Sequence, residues 1–248
     1  MRILIVTSQI TFVPNNDQIF FDELLKKANS HIVGLVIIQN FSLDLFPKII
    51  WLYWMGCTNF ATSLVRNILD LPFQKRERAF KKIKHPVFQA KNINDPRIVS
   101  WIKKNKIDLI INIRTRCIYK SAILSTPRLG CINIHHGLLP KYRGIFCDLY
   151  ALYEKRPAGI TVHKMSEKLD DGRIIFRKHI SQSHDNDYMK YLAKTGHEEA
   201  DMIIKLMKYI DQKDSLPKGI RNYSKQVLYT KTPNKQQIRD MRESGLIL

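Results

Sequence analysis

The chain has no Cys-x-x-Cys pair; its four cysteines, Cys57, Cys117, Cys131 and Cys147, stand singly. A structural zinc site needs closely spaced ligand pairs, so no metal is expected. Cys117 and Cys131 lie in apolar strand contexts as buried thiols, and unpaired thiols fit a reducing, cytoplasmic setting. There is no Gly-x-Gly-x-x-Gly and no Walker-type loop, so neither phosphate-cradling fingerprint is present. Internal repeats and low-complexity segments are also missing. No apolar run reaches the roughly twenty residues of a spanning helix. The longest, Phe46–Phe60, reads as a core or interface helix, with peripheral membrane contact as its other use. Met1–Thr7 is too short for a signal core and reads as a first strand.

Acidic residues are the scarce charge: 22 against 41 basic ones, a formal net charge of +19. Such an excess favours an anionic partner, whether nucleotide, phosphate, RNA or anionic membrane, without choosing among them. Much of it is lysine scattered over polar faces. The cluster from Gln74 to Lys84 spreads around a helix and reads as a solvated face, not a nucleic-acid patch.

What is present is an alternation of apolar runs and helical patterns. Arg2–Thr7 and His31–Ile38 read as strands, separated by a polar loop through Pro14-Asn15-Asn16 and a helix capped by Asp17 and ending near Ala28. Pro47–Leu71 reads as mainly helix, and Asp95-Pro96 starts another that runs to about Lys104. Asp108–Ile113 and Cys131–His135 are strands, with short helices at Lys120–Leu124 and Leu149–Tyr153. Gly159–Met165 and Gly172–Ile180 flank a carboxylate turn. Asp185 or Asp187 caps a long helix to about Ile210, with Tyr191, Ile203, Leu206 and Ile210 apolar. Two-sided apolar strands alternating with helices predict an α/β fold: a Rossmann-like, mostly parallel sheet with helices on both faces. From about Asp211 the chain changes character, with a turn at Pro217-Lys218-Gly219, a short Val227-Leu228-Tyr229 run and a helix over Asn234–Glu243 capped by Thr232. Residues 1–210 are therefore expected to be the main domain and 211–248 a short α/β extension on or near the substrate site.

The chemistry concentrates at the end of the Cys131–His135 strand. Asn133 and His135 are two apart on a strand and face the same way, just before the loop Gly137-Leu138-Leu139-Pro140 and Arg143-Gly144. The carboxylate turn Leu169-Asp170-Asp171-Gly172 follows Ile160-Thr161-Val162-His163. An amide, an imidazole and a carboxylate converging on a loop-rich edge suit proton transfer and oxyanion stabilisation.

From about Asp108 to Ile180 these elements, in order and spacing, resemble the formyltransferases that use 10-formyltetrahydrofolate. The resemblance implies direct formyl transfer to an amine with Asn133, His135 and Asp170 as the reacting trio. Asp170 is chosen over Asp171 because the pattern places the carboxylate two positions before Gly172; Asp171 is left as a hairpin-turn residue. His135, protonated or sharing a proton, would meet the formyl oxygen; Asp170 would keep it charged. His136 is expected to point away from His135; His163 matches a frequent family position, but a supporting role for it is the less favoured reading. The family's pterin-gripping backbone maps to Arg116, Cys117, Ile118 and Tyr119, with Ser166, Glu167, Lys168 and Leu169 opposite. Arg114 and Arg116 are expected to reach the folate's glutamate tail or a substrate phosphate. One departure is Gly137, where the pattern has Ser, which suggests a looser loop.

The acceptor branch follows by comparison. Glycinamide ribonucleotide formyltransferases carry a glycine-rich loop after the first strand, whereas Thr7-Ser8-Gln9-Ile10-Thr11-Phe12 has no glycine. The methionyl-tRNA branch continues into a β-barrel domain for which this chain lacks the length, although its charge keeps an RNA acceptor in play. The tail resembles those of stand-alone formyltransferases acting on nucleotide-linked amino sugars for surface polysaccharide or lipid, which makes such a sugar the expected acceptor. A formyltetrahydrofolate hydrolase and an RNA-binding module are the readings from other classes. A homodimer is expected, with Ile49–Met55 as a candidate interface.

Overall fold

Strand β1 (Ile3–Ser8) is buried along its whole length. Its residues alternate between two cores, Ile3 and Ile5 in one and Leu4 and Val6 in the other, as a strand covered on both faces requires. The computed structural model describes residues 1–11, 14–73 and 75–248; the sequence expectations at Phe12 and Gln74 lie outside them. β1 pairs in parallel with β2 (Ile32–Ile38) and β4 (Leu109–Ile113). Outside these lie β3 (Val87–Ala90), parallel to β2, and β5 (Cys131–His135), parallel to β4. Then the direction reverses: β7 (Gly159–Lys164) and β8 (Ile174–His179) add antiparallel, which gives the order β3-β2-β1-β4-β5-β7-β8.

Helices cover both faces. α1 (Pro14–Ala28) and the long α8 (Tyr188–Lys213) lay Phe20, Leu24, Ile203 and Leu206 over Ile5, Ile111 and Ile134. On the other face α5 (Pro96–Lys104) and α6 (Ser121–Ser125) supply Ile98, Ile102 and Ile123. All four apolar positions expected on the long helix are buried. Asp95 caps α5, and Asp187 rather than Asp185 caps α8, each accepting a backbone N–H.

Several expectations are corrected. α1 starts at Pro14, and Asp17 is not its cap; it is buried within the helix and accepts from Thr11 Oγ1 and Arg114. The single helix expected over Pro47–Leu71 is two, α2 (Leu45–Trp54) and α3 (Thr58–Asp70). They part at Gly56, which takes φ 70; its N–H bonds Tyr53 O and the Cys57 N–H bonds Leu52 O, a Schellman closure. On α4 (Lys75–Lys82), Lys75, Arg78, Lys81 and Lys82 are exposed as expected, but Arg76 turns inward to Ser8 O and Gln9 O. The helix of the tail, α9 (Lys235–Glu243), is capped by Asn234 in a capping box with Gln237, not by Thr232.

Two short strands, β6 (Tyr142–Gly144), which escapes the sequence pattern, and β9 (Leu228–Thr230), at the Val227-Leu228-Tyr229 run, pair with each other in parallel. A third core joins the tail to the body, with Ile238, Met241 and Leu248 packing with Tyr191 and with Leu149 of α7 (Cys147–Tyr153). In the expected interface segment, Ile49 and Met55 are buried while Ile50, Tyr53 and Trp54 are exposed. Among the described residues no helix is long and apolar enough to cross a membrane.

Candidate functional site

Where the sheet changes from parallel to antiparallel, three polar side chains stand in one row. Asn112 on β4 is in register with Asn133 on β5, which is in register with His163 on β7. Their hydrogen bonds fix the orientation of each group. Thr115 Oγ1 and the Tyr119 hydroxyl both donate to Asn112 Oδ1, at 2.6 and 2.9 Å. That leaves Asn112 Nδ2 to donate to Asn133 Oδ1 at 2.8 Å, so the NH₂ end of Asn133 faces His163 Nε2 at 3.2 Å. His163 Nδ1 lies 2.8 Å from Lys164 O, so that nitrogen carries the proton and Nε2 accepts. One amide hydrogen of Asn133 is left over for the cavity.

His135 lies two residues further along β5, 5% exposed. Its Nε2 is 3.0 Å from the carbonyl of Tyr142, which can only accept, so Nε2 carries the proton. Nδ1 faces Asp170 Oδ2 at 3.6 Å, too far for a hydrogen bond but close for charge. Burial pushes the imidazole below its ordinary pKa; Asp170 opposes that only in part, so His135 is neutral at rest and not kept charged by Asp170, as the sequence led us to expect. Burial alone would raise the Asp170 carboxyl. The facing His135, His163 and the Gly144 N–H at 2.8 Å reverse this and hold it at about 2. Burial thus governs the histidine, whereas the positive charge that His135 takes on at low pH, together with His163 and the Gly144 N–H, governs the carboxylate.

The trio lines a cavity of about 1030 Å³. All eight residues expected to flank the folate, in segments 116–119 and 166–169, line the same cavity. Within them Tyr119 is buried beneath the row, whereas Ile118 and Leu169 stand exposed at the rim. Cations stand along the wall at Lys48, Arg116, Lys168 and Lys231, and aromatics at Trp51, Phe60, Phe146 and Tyr188.

Residues 72–207 match the family model described as formyl transferase. The chain belongs to the formyl transferase family. Among its relatives, the methionyl-tRNA formyltransferase of Syntrophomonas wolfei is 30% identical over 196 residues, covering 69% of this chain and 62% of the relative. The bifunctional polymyxin resistance protein ArnA of Wigglesworthia glossinidia brevipalpis is 38% identical over 117 residues, 46% of this chain and 18% of the relative. The chain thus spans less than two thirds of the length of these relatives. A solved sugar N-formyltransferase from a Shewanella species shares the fold at TM-score 0.59 and 16% identity, covering 98% of this chain and 88% of the other.

In this member of the family some expected roles change. Arg114 does not reach for a ligand; its guanidinium bonds Asp17 at 2.5 Å and Glu199 at 2.6 and 2.8 Å. Asp171 is more than a turn residue, since it pairs with Arg143. His136 leads away from His135 toward Asp148, 3.2 Å from Nδ1, and toward Glu199, 2.9 Å from Nε2 but off the line of a hydrogen bond. Burial would lower its pKa, but these two carboxylates raise it to about 9.

Sequence reasoning missed Asn112, whose signal was an Asn inside an otherwise apolar strand. It also missed the backbone groups of Tyr142 and Gly144, for which a sequence carries no signal. Gly137 has a sharper explanation than a loose loop: a Cβ there would lie 2.6 Å from His135 Nε2 and 2.7 Å from Cys147 Cβ.

Proposed function

We propose that this chain transfers the formyl group of 10-formyltetrahydrofolate to the primary amine of a nucleotide-linked amino sugar. The observation that carries the transfer is the convergence of Asn133, His135 and Asp170 on one cavity with both expected folate-flanking segments. In this reading the amine attacks the formyl carbon, and the free amide hydrogen of Asn133 donates to the oxygen where negative charge develops. Neutral His135, beside ionised Asp170, takes the proton that the amine sheds. The carbon–N10 bond then breaks; the proton passes to N10, the formyl group stays on the amine and tetrahydrofolate leaves.

The sugar acceptor is supported by the extent and lining of the cavity. About 1030 Å³ has room for a second large ligand beside a folate. Lys48 and Lys231 suit a diphosphate, and Trp51, Phe60 and Tyr188 suit a base or sugar ring. A methionyl-tRNA acceptor is the second reading, favoured by the Syntrophomonas wolfei relative and by the +19 charge. Residues 1–210 act as the transferase unit and 211–248 as an extension closing on its site. This reading takes the protein to be a cytoplasmic homodimer.

The test is tetrahydrofolate release from 10-formyltetrahydrofolate, with nucleotide-linked amino sugars or charged initiator tRNA, and with Asp170→Ala as control. Release that depends on an amino sugar and is lost in the control supports the proposal. Release only with tRNA moves the acceptor to the second reading, and release without any amine points to hydrolysis.

A further inference from the structure

We propose that Asn222, far outside the motif region, is a positioning residue that holds the Asp170 carboxylate at the reaction centre. The proposal rests on the assignment of Asp170 as the reacting carboxylate. Asp170 takes φ 46, a left-handed conformation that costs a residue with a Cβ and persists only where its surroundings enforce it. Asn222 is 8% exposed and its side chain spans the turn. Nδ2 donates to Asp170 O at 2.8 Å and to Gly172 O at 3.0 Å. Two carbonyls can be met only by the NH₂ end of an amide, so the orientation of the group follows from its partners. The backbone carbonyl of Asn222 in turn accepts from Arg143 Nη2 at 3.1 Å, and Arg143 pairs with Asp171. The turn is therefore gripped at residues 170, 171 and 172 from one place.

The same tail also fixes the strand that touches both members of the pair. β9 lies parallel to β6, and Thr230 Oγ1 donates to Arg143 O at 3.3 Å. From β6, the Tyr142 carbonyl accepts from His135 Nε2 and the Gly144 N–H donates to Asp170 Oδ2. Asn222 and β9 both lie beyond the 72–207 stretch that carries the family match. The strand and the turn that carry Asp170 and its contacts to His135 are thus both braced by a segment that the motif does not contain.

Asn222→Ala, Asn222→Ser and Asp170→Asn, each in the full chain, test this. A displaced catalytic group costs about 30- to 100-fold in turnover. Asn222→Ala should lose that much in kcat while the KM for folate and for acceptor changes by less than about three-fold. Asn222→Ser, which keeps one donor, should recover part of the loss and stands in if the alanine variant does not fold. The readout that separates positioning from a loss of fold is the titration of His135 followed by nuclear magnetic resonance. Its midpoint should move to lower pH in Asn222→Ala, because an anion that now favours the imidazolium has withdrawn. An unmoved His135 midpoint, or wild-type kcat in Asn222→Ala with an inactive Asp170→Asn, overturns the proposal and leaves the assignment of Asp170 intact. An active Asp170→Asn overturns that assignment, and the positioning role with it.

Discussion

At the scale of single residues, the site works through what each donor or acceptor is already committed to. Asn133 has its oxygen taken by Asn112 and one hydrogen directed to His163, so its remaining hydrogen is aimed without freedom to turn away. Such a fixed donor costs no reorganisation when charge develops. His135→Ala and Asp170→Ala are expected to lower turnover by ~10²–10⁴ each while folate affinity stays within a few-fold, measured by steady-state kinetics and folate titration. The pH profile follows from protonation. The His135 pKa is lowered below 6.5, and the neutral form is the one that accepts a proton. The rate should therefore rise with pH through a midpoint below 6.5 and be flat above it, while Asp170, at about 2, stays ionised throughout. An acid limb centred above pH 7 would contradict a neutral resting His135. Gly137→Ser tests the local packing. The added Cβ meets His135 Nε2 at 2.6 Å, so the imidazole must swing from the Tyr142 carbonyl. The expected result is about 1–3 kcal/mol of lost stability on urea denaturation, with most activity gone.

At the scale of elements, legibility tracked how local the cause was. Largely apolar strands such as Leu109–Ile113 and the Asp95-Pro96 helix start carry their reasons in neighbouring residues, and both appeared where expected. The cavity gathered the whole expected trio and both flanking segments, because these follow strand ends whose order was legible. The division of α2 from α3 was missed because a lone Gly56 in a strongly helical run has a weak local signal; its closure depends on which carbonyls remain unbonded. β6 was invisible for a different reason, and β9 showed only as the short Val227-Leu228-Tyr229 run. They have three residues each and exist only because they pair across 86 positions, Tyr142 with Leu228. Asn222 was missed for the same non-local cause. Caps are the local counterpart: Asn234 and Gln237 satisfy each other's backbone donors, so Asn234→Ala should cost about 0.5–2 kcal/mol in chemical denaturation, with α9 fraying first.

At the scale of the whole molecule, one feature ties the helices to the sheet: a buried chain of alternating charge. Arg76 meets Asp17 at 3.4 Å, Asp17 meets Arg114 at 2.5 Å, and Arg114 meets Glu199 at 2.6 Å. Glu199 lies 2.9 Å from His136, which meets Asp148 at 3.2 Å. These residues come from α4, α1, the end of β4, α8, the end of β5 and α7, so the chain ties four helices to the ends of two central strands, and Arg114, His136 and Asp148 also line the cavity. Charges removed from water are costly unless each has its partner, so the links stand or fall together. The pH dependence follows with its sign. Glu199 is lowered from 4.5 to about 2, because Arg114 and His136 outweigh its burial; its contribution is present above pH 4.5 and lost as pH falls toward 2. His136 is raised from 6.5 to about 9; its contribution is complete below pH 6.5 and lost as pH rises through 9. The contribution of this pair to unfolding free energy is therefore greatest between about pH 4.5 and 6.5 and declines on both sides. Glu199→Gln removes one partner and leaves Arg114 and His136 facing a neutral amide. It should cost about 3–5 kcal/mol and flatten the alkaline decline, because without its anion His136 titrates nearer its ordinary value. Urea denaturation of both proteins across pH 4 to 10 measures this, and a wild-type stability that rises from pH 7 to 9 would show that His136 is not the cation in the chain.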